Sequence, residues 1–425
     1  MILRARHVLP IAGPPIPNGA ILLQGSRIAA VGSWPDLAAS APAAAPVIDY
    51  GDALLLPGLV NAHCHLDYTD MAGLLAPTRE FPDWIKTIMA AKGAWSDADF
   101  HRSWLRGASQ LLATGTTSAA NIESLPAAFS LLRPQSPVRI HSFLEITGVR
   151  VQRDPAQILA DAESTLQSAP PAPGAVGLSP HAPYSTVPEL LRLAAQSARR
   201  RGWRLTTHLA ESRAEFDMFM YRRGSMFEWL ESQRACSDCG QGSPIRHAAR
   251  HDLLGPDFLA VHVNYLWDGD ARLLADSWSS VVHCPRSHSY FRHQHFPATE
   301  LAAAGVNLCL GTDSLASTRA SGPFPPTLSL FDEMAELASR DNTLPPAEIL
   351  TRATLNGARA LGHGDLLGAL EPGRLADITV IPGRASGAHI EDLAIHHSGS
   401  VLATWIGGRC VWHQPGVAPA QQAVA

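Results

Sequence analysis

The apolar run Leu54-Leu-Leu-Pro-Gly-Leu-Val-Asn-Ala ends in His63-Cys64-His65. In an extended strand residues i and i+2 share a face, so His63 and His65 project together and Cys64 points the other way. Two converging imidazoles are the start of a metal site, although the same spacing also suits two hydrogen-bonded histidines at a strand end. Further along, His181 (Ser179-Pro-His-Ala-Pro-Tyr184), His208 (Thr206-Thr-His-Leu-Ala-Glu211), His262, His283 and Asp313 (Gly311-Thr-Asp-Ser-Leu-Ala-Ser317) each end or follow a short apolar run. His63, His65, His208 and Asp313 offer three nitrogens and one oxygen, a set suited to one divalent metal, Zn2+ or Fe2+. A metal with an open position lowers the pKa of its water, so that hydroxide exists near neutral pH. Glu211, three residues after His208, would face the substrate and move protons. His262 would orient the water or polarise the bond under attack. Singly, His262 also fits a buried hydrogen-bonded histidine and Asp313 a turn or cap residue. Repetition of the pattern at five strand ends argues for a site.

The elements that must carry these residues can be read from the same runs. Strands are predicted at Gly58–His63, Thr116–Asn121, Val138–Leu144, Ala175–Ser179, Trp203–His208, Phe258–His262, Ser280–His283 and Val306–Gly311. Amphipathic stretches at Asp97–Ala113, Pro155–Gln167, Val187–Arg200 and Ala214–Leu230 lie between them, and helices at Asp332–Arg340 and Ala347–Leu361 follow. Eight strands alternating with helices predict an α/β fold, a (β/α)8 TIM-like barrel with its chemistry at the C-terminal strand ends. Short strand-like runs with Gly turns flank it at Ala20–Gln24, Arg27–Gly32, Val47–Asp49, Gly373–Ile381 and Val401–Trp412. They predict a small β-sandwich domain built from residues 1–56 plus 370–425, with the barrel spanning 57–369. The Ala/Pro-rich stretch Ala38–Pro46 reads as linkage and residues 414–425 as a structureless tail.

Composition narrows the function. A net charge of −5 over 425 residues gives no reason to expect nucleic acid or an anionic membrane as partner. The expected partners are a small-molecule substrate and a second copy in a dimer. No window is apolar enough for a membrane span, and the first residues lack a signal-peptide core. Six scattered cysteines suit a reducing cytoplasm. Lysine occurs only at Lys86 and Lys92, so no lysine near the fourth strand can bridge two metals, and a mononuclear site is expected. Cys236, Cys239, His247 and His251 have the spacing C-x2-C-x7-H-x3-H, which could hold a second, structural zinc or read simply as a loop running into a helix. Trp84, in Phe81-Pro-Asp-Trp84 after the first strand, would stack on a flat ring or pack in a helix. Glu145 would bind a ribose hydroxyl or pair with an arginine at the barrel mouth.

Taken in order, Pro57-Gly-Leu-Val-Asn-Ala-His63-Cys-His65, Ser179-Pro-His181-Ala-Pro-Tyr, His208-Leu-Ala-Glu211, Val261-His262, His283-Cys-Pro-Arg-Ser and Gly311-Thr-Asp313-Ser-Leu-Ala-Ser317 resemble the amidohydrolase superfamily. Within it they look like the mononuclear aminohydrolases, the guanine, cytosine and S-adenosylhomocysteine deaminases and chlorotriazine hydrolases. The resemblance implies a hydrolytic barrel, a flanking β-sandwich and one divalent metal held by His63, His65, His208 and Asp313. It implies a proton shuttle at Glu211, water or substrate assistance from His262, a substrate contact at His181 and a polar residue near the site at Ser317. The shuttle glutamate favours deamination over dehalogenation. Phe81-Pro-Asp-Trp84-Ile, Phe143-Leu-Glu145-Ile-Thr-Gly, Val261-His-Val-Asn-Tyr and Cys284-Pro-Arg286-Ser-His288-Ser-Tyr-Phe291 are further similar to aminodeoxyfutalosine deaminases of menaquinone biosynthesis, which adds Arg286 and His288 to the substrate-binding candidates. Related patterns often carry Asn where His288 stands. The expectation is a hydrolytic deaminase of an aminated N-heterocycle, an adenine-type nucleoside such as aminodeoxyfutalosine. Alternatives are a cyclic amide or chlorotriazine hydrolase on the same site, or a non-catalytic scaffold.

Overall fold

The computed structural model describes residues 1–42, 45–149, 153–319, 325–383, 390–416 and 420–423. Eight parallel strands pair in sequential order: Leu59–Cys64, Thr116–Glu123, Arg139–Ile146, Val176–Pro180, Arg204–Leu209, Phe258–His262, Ser280–His283 and Asn307–Leu310. Nearly every residue of these strands is buried, as a parallel sheet covered on both faces requires, which is why they read as continuous apolar runs. The ring closes where the amides of Thr312 and Asp313 donate to the His63 carbonyl, at 2.9 and 3.1 Å. Gly311 makes that seam possible. A Cβ there would lie 2.8 Å from the His63 carbonyl oxygen.

Helices cover the barrel between strands. Asp97–Ala113 opens with a reciprocal Ser96–Asp99 capping box, and Pro155–Gln167 with an Asp154 cap ahead of a first-turn proline. Two stretches expected as single helices are each two. Arg222 and Gly224 turn left-handed, with φ of 54° and 91°, and divide Arg213–Tyr221 from Ser225–Leu230. Thr354, with φ −132° and ψ −92°, leaves the helical region and divides Pro346–Arg352 from Leu355–Ala360.

Both ends of the chain enter one mixed nine-stranded sheet. Ala53–Pro57 runs parallel to Ile2–Val8 and antiparallel to Ile378–Pro382. The apolar run from Leu54 to His63 therefore serves two sheets and changes hands at Gly58. The sheet docks on the N-terminal end of the barrel. The hydroxyls of Thr379 and Thr404 donate to the carbonyls of Gly115 (2.6 Å) and Leu112 (2.7 Å). Two low-complexity expectations are corrected in part. Residues 38–40 end a helix, Trp34–Ser40, capped by Ser33, and Ala420–Ala423 adds a strand to Pro46–Asp49. Residues 43–44, 417–419 and 424–425 of those stretches lie outside the described residues. Strand addition at an open edge needs main-chain bonds and no apolar pattern, so composition could not announce it. Among the described residues no helix is long and apolar enough to cross a membrane.

Candidate active site

The C-terminal strand ends bring His63, His65, His208 and Asp313 together, with their ligating atoms within 4.8 Å of one another. His65 Nε2 lies 3.3 Å from His208 Nε2. Asp313 Oδ1 lies 3.4 Å from His63 Nε2 and 3.6 Å from His65 Nε2. A tetrahedral ion with bonds of about 2.1 Å needs ligand atoms about 3.4 Å apart, and these three donor pairs already stand close to that separation. His63 Nε2 is buried with no hydrogen-bond partner. Burial, reinforced by the His63 charge, holds the imidazoles of His65 and His208 well below their ordinary pKa, hence neutral. Burial alone would raise Asp313, but His63 and the other imidazoles around it hold the carboxyl well below the usual range, hence ionised. Neutral imidazoles at His65 and His208 and an ionised carboxylate at Asp313 are protonation states that metal binding demands. The residues fit a single divalent ion.

Outer contacts aim these ligands. His208 Nδ1 faces the His181 carbonyl at 2.9 Å, which turns Nε2 inward. The Ser317 hydroxyl donates to Asp313 Oδ2 at 3.1 Å and in turn accepts from Ser287 at 3.3 Å. Ser317 thus bonds to a ligand and lies outside the cavity lining.

Glu211 sits with His262 and Asp313 in a second cluster of the same span. Its Oε1 is 3.6 Å from His262 Nε2. Burial, with the Asp313 and Glu215 charges behind it, pushes the Glu211 carboxyl well above the ordinary glutamate range. The loop bearing it is clamped by Glu215, which accepts from the amides of Ala210 (3.1 Å) and Glu211 (2.8 Å). Four non-glycine residues here adopt positive φ: Ala210 (49°), His262 (77°), Val263 (48°) and Asp313 (52°). Each such residue costs about 1–3 kcal/mol and persists only where its surroundings over-determine it.

A cavity of about 630 Å³ opens over the cluster. His181, Trp84 and Glu145 line it together with His65, Glu211 and Asp313. His181 Nδ1 bonds to the Ser185 hydroxyl at 2.6 Å. Trp84 takes the packing role, with one edge left facing the cavity. It belongs to the helix Phe81–Gly93, packs edge-on against Phe291 at 4.9 Å, and presents to the cavity. Arg286 lies outside the lining: it donates to the Thr327 carbonyl at 2.9 Å and stands beside Asp332 and Glu333. His288 is also outside. Its Nδ1 bonds Asn264 Oδ1 at 3.0 Å, and the Asn264 amide donates to the Glu211 carbonyl at 2.9 Å. Cys236, Cys239, His247 and His251 do not converge; among the described residues the only clusters able to hold a metal are the two around Asp313. Instead Asp238, between the cysteines, pairs with the buried Arg234, which donates to the Pro183 carbonyl at 2.9 Å. Glu215 and Arg234 had no motif to announce them, and Asn264 stood in the motif Val261-His-Val-Asn-Tyr without an assigned role.

The model of the Amidohydrolase family matches residues 54–411, the barrel with part of the terminal sheet. The chain belongs to the amidohydrolase family. This amidohydrolase is 31% identical to the 5-methylthioadenosine/S-adenosylhomocysteine deaminase of Syntrophobacter fumaroxidans, over 85% of this chain and 80% of the relative. It is 28% identical to the 5'-deoxyadenosine deaminase of Methanothermobacter thermautotrophicus, over 86% of this chain and 81% of the relative. The crystal structure of an adenosine deaminase from Xanthomonas campestris with bound zinc superposes with a TM-score of 0.83 at 25% identity, covering 98% of this chain and 94% of that one. The amidohydrolase is a hydrolase acting on carbon–nitrogen bonds.

Proposed function

We propose that this amidohydrolase deaminates an adenine-type nucleoside, releasing ammonia and leaving a 6-oxo ring. The observation that carries the reading is Glu211, a buried carboxyl on the cavity wall, held toward its protonated form and grouped with Asp313 and, behind the lining, His262. His63, His65, His208 and Asp313 would hold a divalent ion, zinc by their three-imidazole, one-carboxylate set, and that ion would supply Lewis acidity. Two protons have to leave the water that attacks the ring. Glu211 passes one to the ring nitrogen beside the carbon under attack and the second to the amino group, which leaves as ammonia. His262 turns Nε2 toward Glu211 and orients the attack. His181, fixed by Ser185, addresses the ring, Trp84 walls it, and Glu145 takes a sugar hydroxyl.

The relatives named for methylthioadenosine, S-adenosylhomocysteine and deoxyadenosine support an adenine-type base. The sequence resemblance to aminodeoxyfutalosine deaminases adds that nucleoside, and with it menaquinone biosynthesis, to the proposal. The test is ammonia release by the metal-loaded enzyme from 5'-methylthioadenosine, 5'-deoxyadenosine and aminodeoxyfutalosine. Release from at least one is expected; ring-opened or dehalogenated product without ammonia would select another hydrolase chemistry. Glu211→Gln should keep its metal and lose about 10²–10⁴-fold in kcat. Near-full turnover by that variant would remove Glu211 from the mechanism.

A further inference from the structure

The two lysines of the chain stand on one helix, Phe81–Gly93, in opposite circumstances. Lys86 is at the surface and pairs with Asp83 at 3.0 Å. Lys92, in the last turn, lines the catalytic cavity. Its Nζ lies 4.8 Å over the ring of Tyr68, and Tyr68 stacks on the ligand His65 with centroids 5.5 Å apart. No carboxylate stands within ion-pair distance of Lys92 among the described residues, whereas the other cation on the cavity wall, Arg153, is paired with Asp161 at 3.1 Å. The Lys92 charge reaches His65, Asp67 and His181, so it faces inward. The negative end of its helix and the face of the Tyr68 ring both attract a cation at this place.

The rest of this helix face is apolar. Phe81, Trp84, Ile85, Ile88 and Met89 line the cavity at spacings of three and four, and Lys92 continues the same stripe by one turn. Half-buried at the end of an apolar wall and without an ion pair, this ammonium is free to meet a ligand group of opposite charge in the cavity.

We infer that Lys92 anchors a singly charged anionic group, a carboxylate, that the substrate carries outside the ring being deaminated. This rests on the deaminase reading for the identity of that ring. One unpaired ammonium matches one negative charge. A phosphate dianion would leave excess charge beside Glu145 and Asp313, where water screens it poorly.

The probes are 5'-S-(2-carboxyethyl)-5'-thioadenosine, its neutral carboxamide of nearly equal shape, and adenosine 5'-monophosphate. For the metal-loaded enzyme, kcat/KM should favour the carboxylate over the carboxamide by about tenfold or more, the range of a charge-assisted hydrogen bond. Lys92→Met should bring that ratio close to one, and Lys92→Arg should keep part of it. Equal use of the two probes by the natural enzyme, or a preference that survives in Lys92→Met, overturns the inference. Adenosine 5'-monophosphate outcompeting the carboxylate overturns the single-charge assignment. Should none of the three release ammonia, the deaminase reading fails separately, and calorimetric binding of the same pair decides Lys92. A carboxylate preference lost in Lys92→Met upholds the anion site; no preference, or no binding by either probe, overturns it.

Discussion

Two aspartates, each about 5% exposed or less, occupy opposite ends of the barrel. At the floor, Asp377 accepts from the Arg139 guanidinium and from the Gly407 amide, both at 2.8 Å. At the mouth, Asp313 has imidazoles and the Ser317 hydroxyl around it and, among the described residues, no Arg or Lys in ion-pair contact. Burial still pushes the Asp377 carboxyl up, because its one cation does not fully repay the lost water. A buried carboxylate supplied with its own cation is a joint, here between the barrel and the terminal sheet. One surrounded by histidines has to import its positive charge, and that import is what makes the mouth a site.

The largest effect should come from Asp313→Ala. Metal analysis of the purified variant is expected to show near-complete loss of the ion, with ammonia release below detection; full metal content would mean that Asp313 is not a ligand. Asp377→Ala should leave Arg139 buried and unpaired and cost about 3–5 kcal/mol of stability by urea denaturation. Its metal content per folded chain should be unchanged, and a parallel loss of metal would show that floor and mouth are not separable. The smallest effect is expected from Glu215→Gln. The amide keeps one acceptor where two backbone N–H groups need one each, a loss of about 1–2 kcal/mol or roughly tenfold in kcat. A fall in stability with kcat intact would reduce Glu215 to a fold residue.

The floor and the mouth were not equally legible. All eight barrel strands lie within three residues of where apolar runs predict them, because strands buried on both faces are written as continuous hydrophobic sequence. The ligand set could be read because each ligand terminates or follows such a run. Ile2–Val8 escaped because Arg4, Arg6 and His7 interrupt its apolar residues. Glu215 and Asn264 escaped because their work is to bond backbone groups, which any sequence offers. Nor could residue types announce the left-handed turns at Ala210 and Val263, since neither is a residue that favours them. Arg286 shows the opposite failure: a charged residue in a site-like motif spends its charge on Asp332, Glu333 and a carbonyl.

The seam between the first and last barrel strands has a consequence for how the protein is made. His63 and Asp313 face each other across it, and Gly311 lets their backbones meet. On the ribosome, where folding proceeds from the N-terminus, a nascent chain can display His63, His65 and His208 long before the carboxylate exists. Until Asp313 emerges no fragment carries the complete shell, so hydrolytic competence arrives late in synthesis.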